Sequence, residues 1–273
     1  MKYEISYGKA EISLYRTRLA KRPLFGAEVH VDVFGDNFLP SYTEGDNSMV
    51  VATDTMKNFT YAAALEFDGS THEQFSAFLA RRFLDTYEQM QRVRIHCKEL
   101  PFTAWSDKLL SPSYNDHGTV DLEADRSGVL SLESGRVDMR LVKLTGSAFA
   151  SFVRDRYTTL PERKDRPLFI YMDVRWRYNT PADALGGSHI PSEEVARCVR
   201  ETFDDFVSLS IQHLVHEMGE RLLRLYPQLS QVSFAAQNRL WDTSAQSEAD
   251  EQVRVYSNPK PAHGSIGLTI KRS

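Results

Sequence analysis

Several side chains in this sequence are of types that bind planar ligands or move protons. Arg166 offers a planar fork of donors, and Gln212 a donor beside an acceptor. Lysine amines such as that of Lys9 and hydroxyls such as that of Thr53 are of types that can carry protons, and a backbone N–H at a helix start, such as that of Asp54, can favour an anionic oxygen. Taken singly, each has a plainer reading: Arg166 a solvated charge, Gln212 a helix-surface amide, Phe149 a core residue, Lys9 a strand-surface lysine, Thr53-Asp54 a helix cap. None stands in a cofactor motif. There is no Gly-x-Gly-x-x-Gly, no Walker loop and no His-x-x-x-His pair on a helix. Cys97 and Cys198 are far apart and read as two reduced thiols rather than as a metal or redox pair.

The elements that must position these residues alternate in character along the chain. Residues 2–16 and 26–35 alternate apolar and polar, with Ala27, Val29, Val31 and Val33 against Glu28, His30 and Asp32, and read as a hairpin. A polar loop, 41–48, precedes helical spacing over 53–67 and 71–90, where Phe75, Phe78, Leu79, Phe83 and Tyr87 recur at three and four. Residues 92–100 resume a period of two, and 119–132 give weaker strand signals around Gly128. The order then repeats: strands over 136–144 and 167–178, helices over 192–206 and 210–226 with serines placed to cap the second, and strands over 231–241 and 265–271. An extra helical piece is expected over 147–157. The reading is α+β, two ββααββ domains at 1–134 and 135–273, each an antiparallel sheet with helices on one face. Half-covered sheets and open edges imply an oligomer.

Composition narrows the partners. With 273 residues, 41% of them hydrophobic, the chain has enough apolar material for two cores. A net charge of −4 argues against nucleic acid, whose phosphates call for a basic face. No apolar leader and no membrane-length apolar run is present, and the final Lys271-Arg272-Ser273 does not match the peroxisomal address, so the expected location is cytoplasmic.

Four long motifs carry a resemblance. Tyr7-Gly8-Lys9, then Tyr42-Thr43-Glu44-Gly45-Asp46-Asn47-Ser48, then Val50-Val51-Ala52-Thr53-Asp54-Thr55-Met56-Lys57-Asn58, and Phe152-Val153-Arg154-Asp155-Arg156-Tyr157-Thr158-Thr159-Leu160-Pro161 resemble, in order and spacing, motifs of the urate oxidase (uricase) family. The resemblance implies tandem tunnelling-fold (T-fold) domains, a homotetramer with sites shared between subunits, no cofactor and no metal, and a purine-dione substrate oxidised by dioxygen. By similarity, Phe149 stacks on the ring, Arg166 and Gln212 read its dione edge, and Leu160 and Ile211 line the site. Lys9 and Thr53 take the proton-relay positions, Asp54 offers its amide, and Asn238 holds dioxygen, peroxide or water.

One position departs from that pattern. The family reads roughly Pro-Asn-Lys-His where this chain reads Gln237-Asn238-Arg239-Leu240, and leucine carries no proton. Phe59 likewise replaces a small polar residue. The leading expectation is therefore a cofactor-independent oxidase or monooxygenase of urate or a urate-like purine-dione with an altered relay. The alternatives are an authentic urate oxidase forming 5-hydroxyisourate and hydrogen peroxide, and a catalytically silent purine-binding homologue. A pterin-type enzyme on the same fold is disfavoured because no zinc-binding histidine cluster matches.

Overall fold

Alternation in the sequence becomes pleat in the structure. The computed structural model describes residues 2–17, 24–250 and 253–272. Its internal contacts divide it into two compact units, Met1–Gly135 with Arg177–Ile190, and Arg136–Trp176 with Pro191–Ser273.

In the first unit, β1 (Ser6–Arg16) and β2 (Phe25–Phe34) form an antiparallel pair, with Ser6 opposite Phe34 and Arg16 opposite Phe25. A short α1 (Leu39–Thr43), then α2 (Thr53–Glu66) and α3 (His72–Thr86), precede β3 (Arg92–Glu99), the small hairpin of β4 (Phe102–Ala104) and β5 (Leu110–Pro112), and β6 (His117–Asp125). The strand order is β1-β2-β3-β6, followed by the start of β7 (Gly128–Lys143). Val29, Val31 and Val33 are fully buried against the helices, whose Phe75, Leu79 and Phe83 complete the core. Their neighbours His30 and Asp32 lie on the uncovered face, as a period of two requires. The unit also takes in α4 (Pro181–Leu185), docked through Gln74, whose side-chain amide donates to the Leu185 carbonyl at 3.1 Å.

The second unit repeats the plan with the end of β7, β8 (Leu168–Tyr178), α5 (Ser192–Asp205), α6 (Ile211–Leu225), β9 (Leu229–Asn238) and β12 (Gly264–Lys271), in sheet order β7-β8-β9-β12. A short pair, β10 (Asp242–Gln246) and β11 (Arg254–Ser257), lies between β9 and β12 in sequence. Helix α6 begins where its cap dictates: the Ser210 hydroxyl accepts the His213 amide at 3.1 Å. It packs closely on the sheet at Gly219, where a Cβ would lie 2.6 Å from Ile270 and 3.2 Å from Phe234.

Four expectations are corrected. Residues 147–157 are not helical. Phe149, Phe152 and Val153 have helical spacing, but Gly146 and Ser151 take left-handed φ values of 77° and 60°, and Ser147 and Phe149 form isolated bridges to Ser208 and Arg163. The strand signals near 128–132 and 136–144 belong to one 16-residue strand, β7, reached by a turn in which Asp125 accepts the Ser127 amide at 2.7 Å. The strand expected to reach Trp241 ends at Asn238, opposite Gly264. The loop expected over 41–48 opens inside α1, started by Pro40 in its first turn.

Candidate functional site

The first group of expected residues sits where β1 meets the start of α2. Gly8 is required there, because a Cβ would fall 1.9 Å from the Val31 carbonyl oxygen. Lys9 pairs with Val31 but Ile12 with Val29, so one extra residue is absorbed at Ala10-Glu11, where Glu11 has φ 57°. Such a bulge re-aims the side chains beside it. Lys9 shares the helix-covered face with its partner Val31, and its charge helps lower the Asp54 pKa.

Tyr7 fixes α2 to this strand. Its hydroxyl accepts the Val51 amide at 3.1 Å and its ring meets Phe38 edge-on at 5.1 Å. Burial raises its pKa, partly offset by the Val51 bond. The Tyr42 hydroxyl donates to the Ser6 carbonyl at 2.8 Å, so three of the sequence motifs converge on one corner. Helix α2 opens at Thr53 after Ala52, which provides no side-chain cap. The carboxylate of Asp54 is turned to its own helix, accepting from Lys57 and, at 3.1 Å, from Asn58. The Lys57 hydrogen bond is the main cause of its lowered pKa.

The second group gathers at one end of the second unit. Phe149 and Arg163 exchange backbone hydrogen bonds of 2.8 and 2.9 Å, and the Arg166 amide donates to Ser147 at 2.9 Å. On the other side, the Ala148 amide donates to the Ser208 carbonyl at 2.8 Å, joining this segment to the loop that leads into α6. The Arg166 guanidinium carbon consequently lies 5.5 Å from the Phe149 ring centroid. Burial lowers the Arg166 pKa, and its Nε is buried without a protein partner. Ile211 is buried at the first position of α6, while Gln212 beside it is exposed. Leu160 lies in the same loop, 42% exposed, its carbonyl held by Arg154 at 3.1 Å.

Asn238 ends β9. The Arg239 amide donates to the Phe169 carbonyl at 2.8 Å, so this end of β9 lies beside the start of β8, two residues after Arg166. Its Oδ1 is a second buried polar atom without a protein partner. Such an orphan costs about 1–3 kcal/mol, which a ligand that fills it would recover. Leu240 is half-buried just beyond the strand. Phe59, the other departure from the expected pattern, and Trp241 are each engaged within their own unit: Phe59 packs on Phe83 and Tyr87, Trp241 on Phe169 and Tyr256.

Lys9, Thr53 and Asp54 thus lie together in the first unit, and Phe149, Leu160, Arg166, Ile211, Gln212, Asn238 and Leu240 belong to the second. Sequence reasoning missed residues that hold the second group in shape, notably Asp165 and Ser208, because their partners are 18 and 61 residues away. Among the described residues no cluster of three or more His, Cys, Asp or Glu side chains is arranged to hold a metal ion, and no helix is long and apolar enough to cross a membrane.

Known proteins resemble this chain in sequence and in architecture over nearly the whole of its length. The model of the uricase family matches residues 5–129 and 132–267. A uricase of Haloferax volcanii is 38% identical over 303 residues, covering 98% of both chains. The uric acid degradation bifunctional protein PucL of Bacillus subtilis is 36% identical over 307 residues, and the chain spans 62% of its length. The crystal structure of urate oxidase from Bacillus sp. TB-90 matches with a TM-score of 0.93 at 32% identity, over 98% of this chain and 100% of that one. The uricase of Arthrobacter globiformis matches at 0.87 and 29%, over 100% and 95%. The tandem T-fold expected from sequence is therefore the fold observed, and the chain belongs to the uricase family.

Proposed function

We propose that the chain oxidises urate with dioxygen and water to 5-hydroxyisourate and hydrogen peroxide. The observation that carries this reading is the clamp: an arginine over an aromatic ring, with a buried donor on Arg166 and a buried acceptor on Asn238 left for a ligand. A planar purine-dione anion stacks on Phe149, takes the forked donors of Arg166 along its dione edge, and meets the Gln212 amide on the adjacent edge. Leu160 and Ile211 give the apolar walls.

Urate is electron-rich enough to reduce dioxygen itself, so the protein supplies orientation and proton movement rather than a redox group. Lys9 and Thr53 carry the proton, the Asp54 amide steadies an anionic oxygen at the α2 N-terminus, and Asn238 holds dioxygen, peroxide or water above the ring. The two groups complete one site in a homotetramer, Lys9 and Thr53 of one subunit facing the clamp of a neighbour. The relay is altered at Leu240, which offers no proton carrier.

A second reading keeps the clamp but changes the substrate, to a purine-dione with an apolar substituent. The half-buried apolar side chain of Leu240 favours it. Anaerobic titration with urate, followed by admission of air, tests the first. Perturbation of the urate spectrum without air, then oxygen uptake matched by peroxide, is expected from metal-free and flavin-free protein. Binding of a substituted urate alone, or turnover dependent on an added metal or flavin, counts against it. Light scattering of the active species that gives a monomer would refute the shared site.

A further inference from the structure

Arg166 and Phe149 belong to a clamp whose spacing is set by the backbone segments carrying them, residues 145–149 and 163–166. At one end the segments are joined by the Phe149–Arg163 backbone pair. At the other, Asp165 does the joining. One carboxylate oxygen accepts the Gly146 amide at 2.7 Å and the Ser147 amide at 3.3 Å, and the other accepts the Thr145 hydroxyl at 2.5 Å. Gly146, at φ 77°, turns two successive amides toward one oxygen, a backbone nest for an anion. The Ser147 carbonyl then takes the Arg166 amide, closing the ring of contacts on the residue after Asp165.

The carboxylate is otherwise exposed and belongs to no core. Lys143 anchors the same turn from its other side, donating to the carbonyls of Phe203, Asp204 and Phe206 at the end of α5 at 2.9, 2.7 and 3.2 Å. The turn is thus held to α5 by Lys143 and to the arginine segment by Asp165.

We propose that Asp165 is a positioning residue for substrate: its carboxylate fixes the aromatic arm of the clamp against the guanidinium arm before the purine-dione arrives. This rests on the urate reading above. Without the carboxylate, residues 145–147 lose three donors' worth of anchoring, Phe149 drifts relative to Arg166, and substrate must order the clamp as it binds. Binding is lost first, because the proton-moving residues Lys9 and Thr53 belong to the other unit.

Steady-state urate kinetics and thermal melting of Asp165→Ala, Asp165→Asn and Thr145→Val, beside Arg166→Ala, test it. Asp165→Ala should raise KM about 10- to 100-fold with kcat within about threefold. Asp165→Asn keeps an acceptor for the two amides and should recover KM to within about threefold of native. Thr145→Val removes one donor and should fall between, which serves as the readout if Asp165→Ala does not fold. If KM stays native in Asp165→Ala and Thr145→Val while Arg166→Ala raises it, the positioning role is wrong and the urate clamp stands. A fall in kcat at native KM overturns it equally. If Arg166→Ala itself leaves KM unchanged, the clamp reading fails and takes the positioning role with it.

Discussion

The guanidinium of Arg166 lies over the ring of Phe149, 5.5 Å from its centroid, with its Nε buried and unpaired by protein. A desolvated donor of this kind gains most from an anionic acceptor, since charge-assisted bonds contribute about 1.5–3 kcal/mol. Arg166→Ala should therefore weaken urate binding by about 10- to 150-fold. Arg166→Lys, which keeps the charge but loses the fork, should recover only part of it. Anaerobic equilibrium titration gives both constants, and native affinity in the alanine variant would remove Arg166 from the substrate edge.

Lys9 and Thr53 are set by different means: a bulge aims the lysine, and the helix start presents the threonine. If they move a proton rather than hold the ring, Lys9→Met and Thr53→Ala should lower kcat by about 10²- to 10⁴-fold with binding little changed. Since the two act on one proton, the double variant should lose little more than the worse single one. Pre-steady-state and steady-state oxygen uptake report this. Fully multiplicative losses would place them in separate steps.

These residues were visible in sequence because their motifs are local: Tyr7-Gly8-Lys9 lies on one strand and Thr53-Asp54 at one helix start. Strands β2, β8 and β12 and helices α2, α5 and α6 were equally legible, since burial on one face leaves a period of two or of three to four. The segment after Gly146 was not. Its apolar spacing matches a helix, and what prevents one is a pair of bridges to Arg163 and to Ser208, the latter 61 residues away. The limit of β9 was also illegible, because alternation of side chains outlasts the hydrogen-bonded ladder.

Glu73 supplies a pH-dependent element of stability in the first unit. Its carboxylate, 5% exposed at residue level, accepts the Ser134 hydroxyl at 2.7 Å and meets His189 Nε2 at 3.0 Å. Burial pushes its pKa up, but the hydrogen bond and charge of His189, with Ser134, outweigh that and leave it below the ordinary carboxylate value. A depressed folded pKa means that the unfolded chain binds the proton more readily. The stabilisation is then complete above the ordinary value near 4.5 and is lost as pH falls through the lowered one. Urea unfolding at a series of pH values should show that loss in the native protein and a shallower one in Glu73→Gln. Glu73→Ala, which strands His189 and Ser134, should cost roughly 3 kcal/mol or more at neutral pH. Identical acid profiles for native protein and Glu73→Gln would exclude Glu73 as the group responsible.

Leu240 lies beyond the last β9 pair, yet its direction can be read from its neighbours. The Arg239 guanidinium donates to Gln237 at 2.9 Å and lies over Tyr171 at 5.1 Å, while Trp241 meets Phe169 at 5.7 Å. Phe169 and Tyr171 are in edge contact on one face of β8, so Gln237, Arg239 and Trp241 share that face and Asn238, within β9, turns to the other; continued alternation past the strand end would send Leu240 with it. On the urate reading, an apolar wall beside the Asn238 amide would remove a proton carrier and lower local polarity, which should slow water attack on an oxidised purine. Leu240→His should therefore raise urate kcat, by at least about tenfold if the imidazole acts as a general acid or base. Leu240→Ala, which opens the same space without a titratable group, should give no such gain. Under the changed-substrate reading, native protein turns over urate poorly and an apolar-substituted urate faster, and histidine reverses that preference. Steady-state rates of the three proteins on both substrates separate these cases. Efficient native turnover of urate with no gain from histidine would mean that Lys9, Thr53 and Asn238 with water suffice, and that Leu240 is not the switch.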